Sequence, residues 1–342
     1  MDMDALKDTT GSSSVPASVK TQYLPGREGF PLLVSPADGV DLIAWTMEHR
    51  EFVETSLAKH GALLFRGFNL RQAEEFERFI KALSGELIEY RERSSPRHTV
   101  KGRIYTSTDH PAKQSIFPHN EQSYNSTFPM KISFFCHTPA LQGGDTPIGD
   151  TRKVFQRLDP RLREQFIQKK YMYVRNYGNG LGLSWEDVFQ TSDKALVEDY
   201  CRKSNIEYEW KTDGLRTRQV RDAVARHPRT GEWVWFNHAT FFHVSMLEPG
   251  LRDALLEIFD EEDLPNNTYY GDGSPIEPWV LDELRAAYQA ELVSFTWRLG
   301  DILLLDNMLT SHARQPFQGP RKIFTAMSEL RGWHTLAPFG IG

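Results

Sequence analysis

Ser115-Ile116-Phe117-Pro118-His119-Asn120-Glu121-Gln122-Ser123-Tyr124 is the stretch from which the rest of the chain is read. At its centre stands His119-Asn120-Glu121. Side chains of a β-strand alternate faces, so residues two apart point the same way. On a strand, His119 and Glu121 project side by side. An imidazole and a carboxylate presented together are two thirds of the 2-His-1-carboxylate triad that holds non-haem Fe(II) and leaves coordination positions open. The tripeptide alone is a weak signal, so the reading depends on a third ligand and its companions elsewhere.

Downstream, Val293 to Trp297 reads as a strand, Leu299-Gly300-Asp301 as a turn and Ile302-Leu303-Leu304-Leu305-Asp306 as a buried strand, with His312 shortly after. His312 is the candidate third ligand, because a curled two-sheet β fold can bring such distant strands together. Gln318-Gly319-Pro320 turns the chain into a final strand from Arg321 to Met327. Upstream, apolar positions at helical spacing predict one or two helices over 39–60 and another over 72–84, separated by a short strand, Ala62 to Phe65. Lys131 to Cys136 is a strand, Gly143-Gly144 a tight turn and 151–168 a helix. Residues 184–205 and 213–222 read as helical or irregular, Glu232 to Phe236 as strand, 248–260 and 278–291 as helices, and 269–276 as a turn-rich loop. Strands at both ends of a helical middle predict one β domain over 21–342 carrying a long insertion. Residues 1–20, with Ser12-Ser13-Ser14, read as a disordered tail.

Composition narrows the function. The 342 residues are 39% hydrophobic and 25% charged, with formal net charge −6, as for an ordinary soluble chain. That charge gives nucleic-acid binding no global support. Cys136 and Cys201 are too few for a disulfide framework or a thiolate cluster. No apolar run reaches the length of a membrane span, and the N-terminus lacks the pattern of a signal peptide. The expected setting is the cytoplasm, without a membrane or nucleic-acid partner. Arg91, Arg93, Arg97, Lys101 and Arg103 form a basic stretch just before the ligand motif. It reads as a solvated loop face or as a rim receiving an anionic substrate.

These motifs together resemble the taurine dioxygenase (TauD/TfdA) family of Fe(II)/2-oxoglutarate-dependent dioxygenases. Gly300-Asp-Ile-Leu-Leu-Leu-Asp-Asn307, then His312 and Arg321, resembles the family's C-terminal motif, His119-x-Glu121 its proximal metal motif, and Gly143-Gly-Asp-Thr146 the turn carrying a 2-oxoglutarate-binding Thr. Pro118-His-Asn-Glu-x-Ser-Tyr looks closest to a branch containing clavaminate-synthase-like enzymes and antibiotic-pathway hydroxylases. The likeness runs from about Gly61 to about Arg331. It implies a mainly β fold with α insertions: a double-stranded β-helix, jelly-roll and cupin-like, with a long helical insertion between the metal motifs. Two departures matter. Taurine dioxygenase itself has Asp where this chain has Glu121, although Glu is usual in the clavaminate-like branch. The spacing from His312 to the basic residue is also shorter, which leaves Arg321 or Lys322 for the co-substrate. Arg321 is preferred, because a planar guanidinium grips a carboxylate with two prongs and adjacent strand residues point oppositely.

The resemblance implies Fe(II) on His119, Glu121 and His312, 2-oxoglutarate on Thr146 and Arg321 with Ser115 as a further polar contact, and O2 as oxidant. The reaction it implies is hydroxylation of an unactivated C–H bond in an amino acid, a peptide or a carrier-bound aminoacyl group, with succinate and CO2 released. Desaturation, epoxidation and ring closure are the same chemistry with different substrate positioning. Glu121 argues against halogenation, since related halogenases lack the carboxylate. A non-catalytic binding protein on this fold is one rival, which loss of a ligand would have favoured. A zinc hydrolase is another, because His₂Glu is also a catalytic zinc set, but no His-Glu-x-x-His is present. Asn120 reads as structural, pointing away from the ligands. Ser123, Tyr124 and Arg314 are candidates for the pocket, and Asp306 for support of the distal strand. Trp235, Phe236, Asn237, Phe241 and Phe242 read as core or pocket wall. His238 and His243 are at poor metal spacing, and neither they nor His110 and His137 read as ligands.

Overall fold

The run Ile302–Asp306 shows how the core is built. Its apolar residues are continuous because both faces of the strand are covered. Ile302 and Leu304 pack with the helices on one side, against Trp45, Phe76 and Phe79. Leu303 and Leu305 pack on the other side with Phe134, Ile148, Val293 and Trp297. Leu304 is fully buried. Leu304→Ala should therefore cost about 3 kcal/mol, as large-to-small changes in tight cores do. The midpoint of urea unfolding, at constant slope, is the measurement.

The computed structural model describes residues 14–24, 28–89, 98–107, 110–178 and 182–336. The larger sheet runs in the order Val19–Tyr23, Leu32–Pro36, Ala62–Phe65, Ile302–Asp306, Thr127–Thr138, Lys322–Gly332, Ile104–Thr106, Thr99–Lys101. Its pairings are antiparallel except between Leu32–Pro36 and Ala62–Phe65. A smaller sheet faces it, in the order Leu292–Val293, Ile148–Asp150, Thr310–Arg314, Ile116–His119. The fold is thus mainly β with several helices.

Helices Leu42–Glu48, Arg50–His60 and Ala73–Ser84 cover the outer face of the larger sheet. They start and stop for local reasons. Asp41 caps the first through the Ala44 N–H, and Gln72 with Glu75 forms a capping box on the third. Gly61 ends the second in the left-handed region, and a Cβ there would lie 2.7 Å from Thr310 Oγ1.

Between the metal motifs the chain departs from the expected helical insertion. It contains helices, but also a sheet ordered Glu207–Lys211, Gly214–Arg221, Tyr171–Tyr177, Asn266–Tyr270. Gly214–Arg221 was expected to be helical or irregular. Its burial alternates from Thr217 to Arg221, yet beyond Leu215 the inward residues Thr217, Gln219 and Arg221 are polar, so hydrophobicity does not reveal it. Arg221 is satisfied by the carbonyls of Tyr124 and Ser204 and by Gln219 Oε1. The expected helix over 151–168 is two, Thr151–Arg157 and Pro160–Lys169, because Pro160 starts a new helix capped by Asp159. The insertion leaves the smaller sheet after Ile148–Asp150 and returns at Leu292–Val293, which pairs directly with that strand. Of the expected strand from Val293 to Trp297, only its start is a strand. The expected tail over 1–20 also differs at its end, since Val19–Tyr23 is an edge strand with Val19 buried. No helix among the described residues is long and apolar enough to cross a membrane.

Candidate metal and co-substrate site

His119 ends the strand Ile116–His119, and His312 lies on Thr310–Arg314; the two are direct cross-strand partners. Residues directly opposite in an antiparallel pair present side chains on the same face. The imidazole centroids accordingly lie 4.4 Å apart. Glu121 joins them by a different route from the one expected. The strand stops at His119, and Glu121 sits in the following turn, where Gln122 adopts φ 54°. Strand alternation therefore does not bring the carboxylate round; the turn does. Glu121 Oε2 lies 3.9 Å from His312 Nε2, and one donor atom from each of the three residues falls within 4.8 Å of the others.

The donor chemistry suits a divalent cation with open positions. His119 Nδ1–H donates to the Phe117 carbonyl at 2.9 Å, which leaves Nε2 unprotonated as the ligand atom. Glu121 and His312 are buried. Phe134 packs 5.0 Å from the His312 ring and Phe241 4.6 Å from the His119 ring, centroid to centroid, walling the site with apolar surface.

One narrow cavity is lined by His119, His312, Phe134, Thr146, Ser107, Arg314 and Arg321 together. Arg321 Nε donates to the Gly144 carbonyl at 2.9 Å, and its outer nitrogens reach Ser107 Oγ and Thr146 Oγ1, both at 3.4 Å. Thr146 Oγ1 also accepts from Trp297 Nε1 at 3.0 Å, so the Thr146 hydroxyl proton remains available to a ligand. Among the described residues no carboxylate forms an ion pair with Arg321. Burial, with the like charge of Arg314 beside it, brings its pKa down to about 10. A desolvated cation of this kind attracts an anion. Lys322, next in sequence, is exposed.

The glycine pair earlier in the chain makes this arrangement possible. Gly143 and Gly144 have φ of 67° and 74°, and a Cβ on Gly144 would stand 3.0 Å from Arg321 Cδ and Nε. Gly144→Ala should displace the guanidinium and raise the 2-oxoglutarate concentration for half-maximal succinate formation by ~10–100-fold, the scale of a roughly 1 Å misplacement. An unchanged requirement would mean that Arg321 does not depend on this turn.

The remaining candidates divide clearly. Ser115 is exposed and lies outside the cavity lining; Ser107, in the polar run before the motif, occupies the place beside Arg321. Arg314 lines the cavity, and its guanidinium holds the carbonyls of His110, Pro111 and Gln114. Asn120 is structural, donating to the carbonyls of Asn307 and Thr310. Trp235 and Phe236 are core, whereas Phe241 packs at a tilt against the His119 ring. His238 packs beside His119 with its Nδ1 on Ser123 Oγ at 2.6 Å, and burial pushes its pKa well down, so it is neutral. His243 pairs with Ser245 and His137 with Thr138. Of the basic stretch, Arg91, Arg93 and Arg97 lie outside the described residues. Lys101 pairs with Glu74 and Arg103 donates to the Leu87 carbonyl, so neither faces the cavity. Sequence reasoning missed Asn307, Trp297 and His227. Asn307 lay in plain view inside the quoted motif, but the residue it serves is far away in the chain.

Comparison with known proteins gives a consistent result. The model of the taurine catabolism dioxygenase TauD, TfdA family matches residues 24–327. The dapdiamide synthesis protein DdaC of Enterobacter agglomerans is 42% identical over 277 residues, 80% of this chain and 84% of that protein. A clavaminate synthase-like protein of Arabidopsis thaliana is 27% identical over 318 residues, 87% of this chain and 93% of its own. PvcB of Pseudomonas aeruginosa shares the fold with a TM-score of 0.57 at 16% identity, covering 94% of this chain and 95% of that one.

Proposed function

The chain belongs to the taurine catabolism dioxygenase TauD, TfdA family, and on that premise we propose that it hydroxylates an unactivated C–H bond of an amino acid, a peptide or a carrier-bound aminoacyl group. It is an Fe(II)/2-oxoglutarate-dependent oxygenase with O2 as co-substrate. The observation that carries the site assignment is the juxtaposition of His119, Glu121 and His312 with a cavity that Arg321 and Thr146 also line. When bound, iron and 2-oxoglutarate supply the oxidant: decarboxylation of the keto acid by O2 gives succinate and CO2 and leaves one oxygen atom for the substrate.

The protein's residues do the rest. His119, Glu121 and His312 would hold the metal. Arg321 and the Thr146 hydroxyl take the far carboxylate of 2-oxoglutarate by charge-assisted hydrogen bonds. Phe134 and Phe241 keep water from the reacting groups. Tyr124, His238, Phe241 and Phe242 form one aromatic cluster that reaches His119, and the half-buried Phe241 and Phe242, backed by the buried Tyr124 and His238, stand as the wall against which the substrate is placed. Support for an amino-acid-derived substrate comes from the relative named for dapdiamide synthesis.

Anaerobic addition of Fe(II) and then 2-oxoglutarate should give a visible charge-transfer band that needs both. A folded protein without that band would overturn the site assignment. With a panel of free and carrier-bound aminoacyl compounds, aerobic turnover should give a product heavier by one oxygen atom. A product lighter by two hydrogens would replace hydroxylation with desaturation or ring closure.

A further inference from the structure

Glu121 is the metal ligand that no strand holds, since Ile116–His119 has ended before it. Its backbone is instead gripped by one side chain. Asn307, completely buried, accepts from the Glu121 N–H at 2.7 Å and donates to the Glu121 carbonyl at 2.9 Å and the Pro129 carbonyl at 2.8 Å. A carboxamide has the donor and acceptor of a peptide unit. Asn307 thus makes with Glu121 the two hydrogen bonds that a neighbouring strand residue would make.

Asn307 is itself immobilised. Its N–H donates to the Met130 carbonyl at 2.8 Å, and its carbonyl accepts from Asn120 Nδ2 at 2.6 Å. The preceding Asp306 receives the N–H groups of Met308 and Leu309 on one oxygen and His227 Nε2–H on the other. This turn leads directly into Thr310–Arg314, which carries His312. A single turn therefore holds the second ligand and delivers the third.

We propose that Asn307 is a positioning residue for Glu121: it sets where the carboxylate stands relative to His119 and His312, and so sets metal affinity. The proposal rests on the ligand assignment above. Aspartate would not serve, because it keeps the acceptor but leaves the carbonyls of Glu121 and Pro129 without a donor.

The test is Mn(II) affinity of the full-length apoprotein, measured on folded protein. Asn307→Ala should weaken Mn(II) binding by ~10–100-fold, the scale seen when support of a metal ligand is lost. Thr151→Val removes a different hydrogen bond to the same turn, from Thr151 Oγ1 to the Met308 carbonyl at 2.5 Å. It should lower thermal stability and leave the affinity unchanged. Asn307→Ala should have no further effect on affinity in a Glu121→Ala background, since the two act through one ligand. If Asn307→Ala does not fold, Asn307→Asp carries the same expectation. Unchanged affinity in a folded Asn307 variant, or additive losses with Glu121→Ala, would overturn the proposal. Undiminished Mn(II) binding by Glu121→Ala alone would instead overturn the ligand assignment.

Discussion

His312→Ala is expected to lose metal binding by more than ~100-fold, beyond the range reached by disturbing a ligand's support, and to lose 2-oxoglutarate turnover with it. The imidazole contributes one of three donors, and its neighbours offer no substitute: Ser311 and Ala313 are the adjacent residues, and Phe134 packs against the ring. The fold should survive the change. Thr310–Arg314 is paired on both sides, with Ile116–His119 and with Ile148–Asp150. Circular dichroism should therefore match the wild type while the charge-transfer band disappears. A variant that keeps the band would remove His312 from the ligand set.

Arg321→Ala has the second largest expected effect, and a specific form. A hydrogen bond to a charged group contributes about 1.5–3 kcal/mol, or roughly 10–150-fold in affinity. The 2-oxoglutarate requirement should rise by that factor, with much of kcat recovered at saturation, because Arg321 is not among the three residues grouped to hold a metal. Arg321→Lys should rescue poorly, since an ammonium cannot make the Gly144, Ser107 and Thr146 contacts together. Lys322→Ala should stay within about twofold, as an exposed charge contributes little. If Lys322→Ala moves the requirement and Arg321→Ala does not, the co-substrate lies elsewhere.

The parts of this molecule readable from sequence are those where local pattern and tertiary role agree. Ile302–Asp306 announces a strand covered on both faces, and the spacing of Phe76, Phe79, Ile80 and Leu83 announces a helix on one of them. His119, Thr146, His312 and Arg321 were legible because they stand in motifs of recognisable order. Glu121 was legible as a residue but not in its manner of placement, since the strand ends at His119 and the Glu121 backbone is bonded by Asn307, which no local pattern links to it. Gly214–Arg221 was hidden because its inner face beyond Leu215 is polar, with Arg221 satisfied by partners farther away in the chain. Ser107 and Trp297 were hidden for the same reason: each matters through one contact across the fold.

The insertion closes upon itself at Ile148–Asp150 and Leu292–Val293, so it leaves and rejoins the smaller sheet at one place. Everything from 151 to 291 hangs from two neighbouring strands, while His119, His312, Thr146 and Arg321 lie outside it. Lengthening such a closed segment costs only slowly growing entropy, with about 0.6 kcal/mol for each doubling. Changes of length should therefore be tolerated at its exposed turns and resisted where the segment meets the rest of the molecule, through Phe241 beside His119 and through His227 on Asp306.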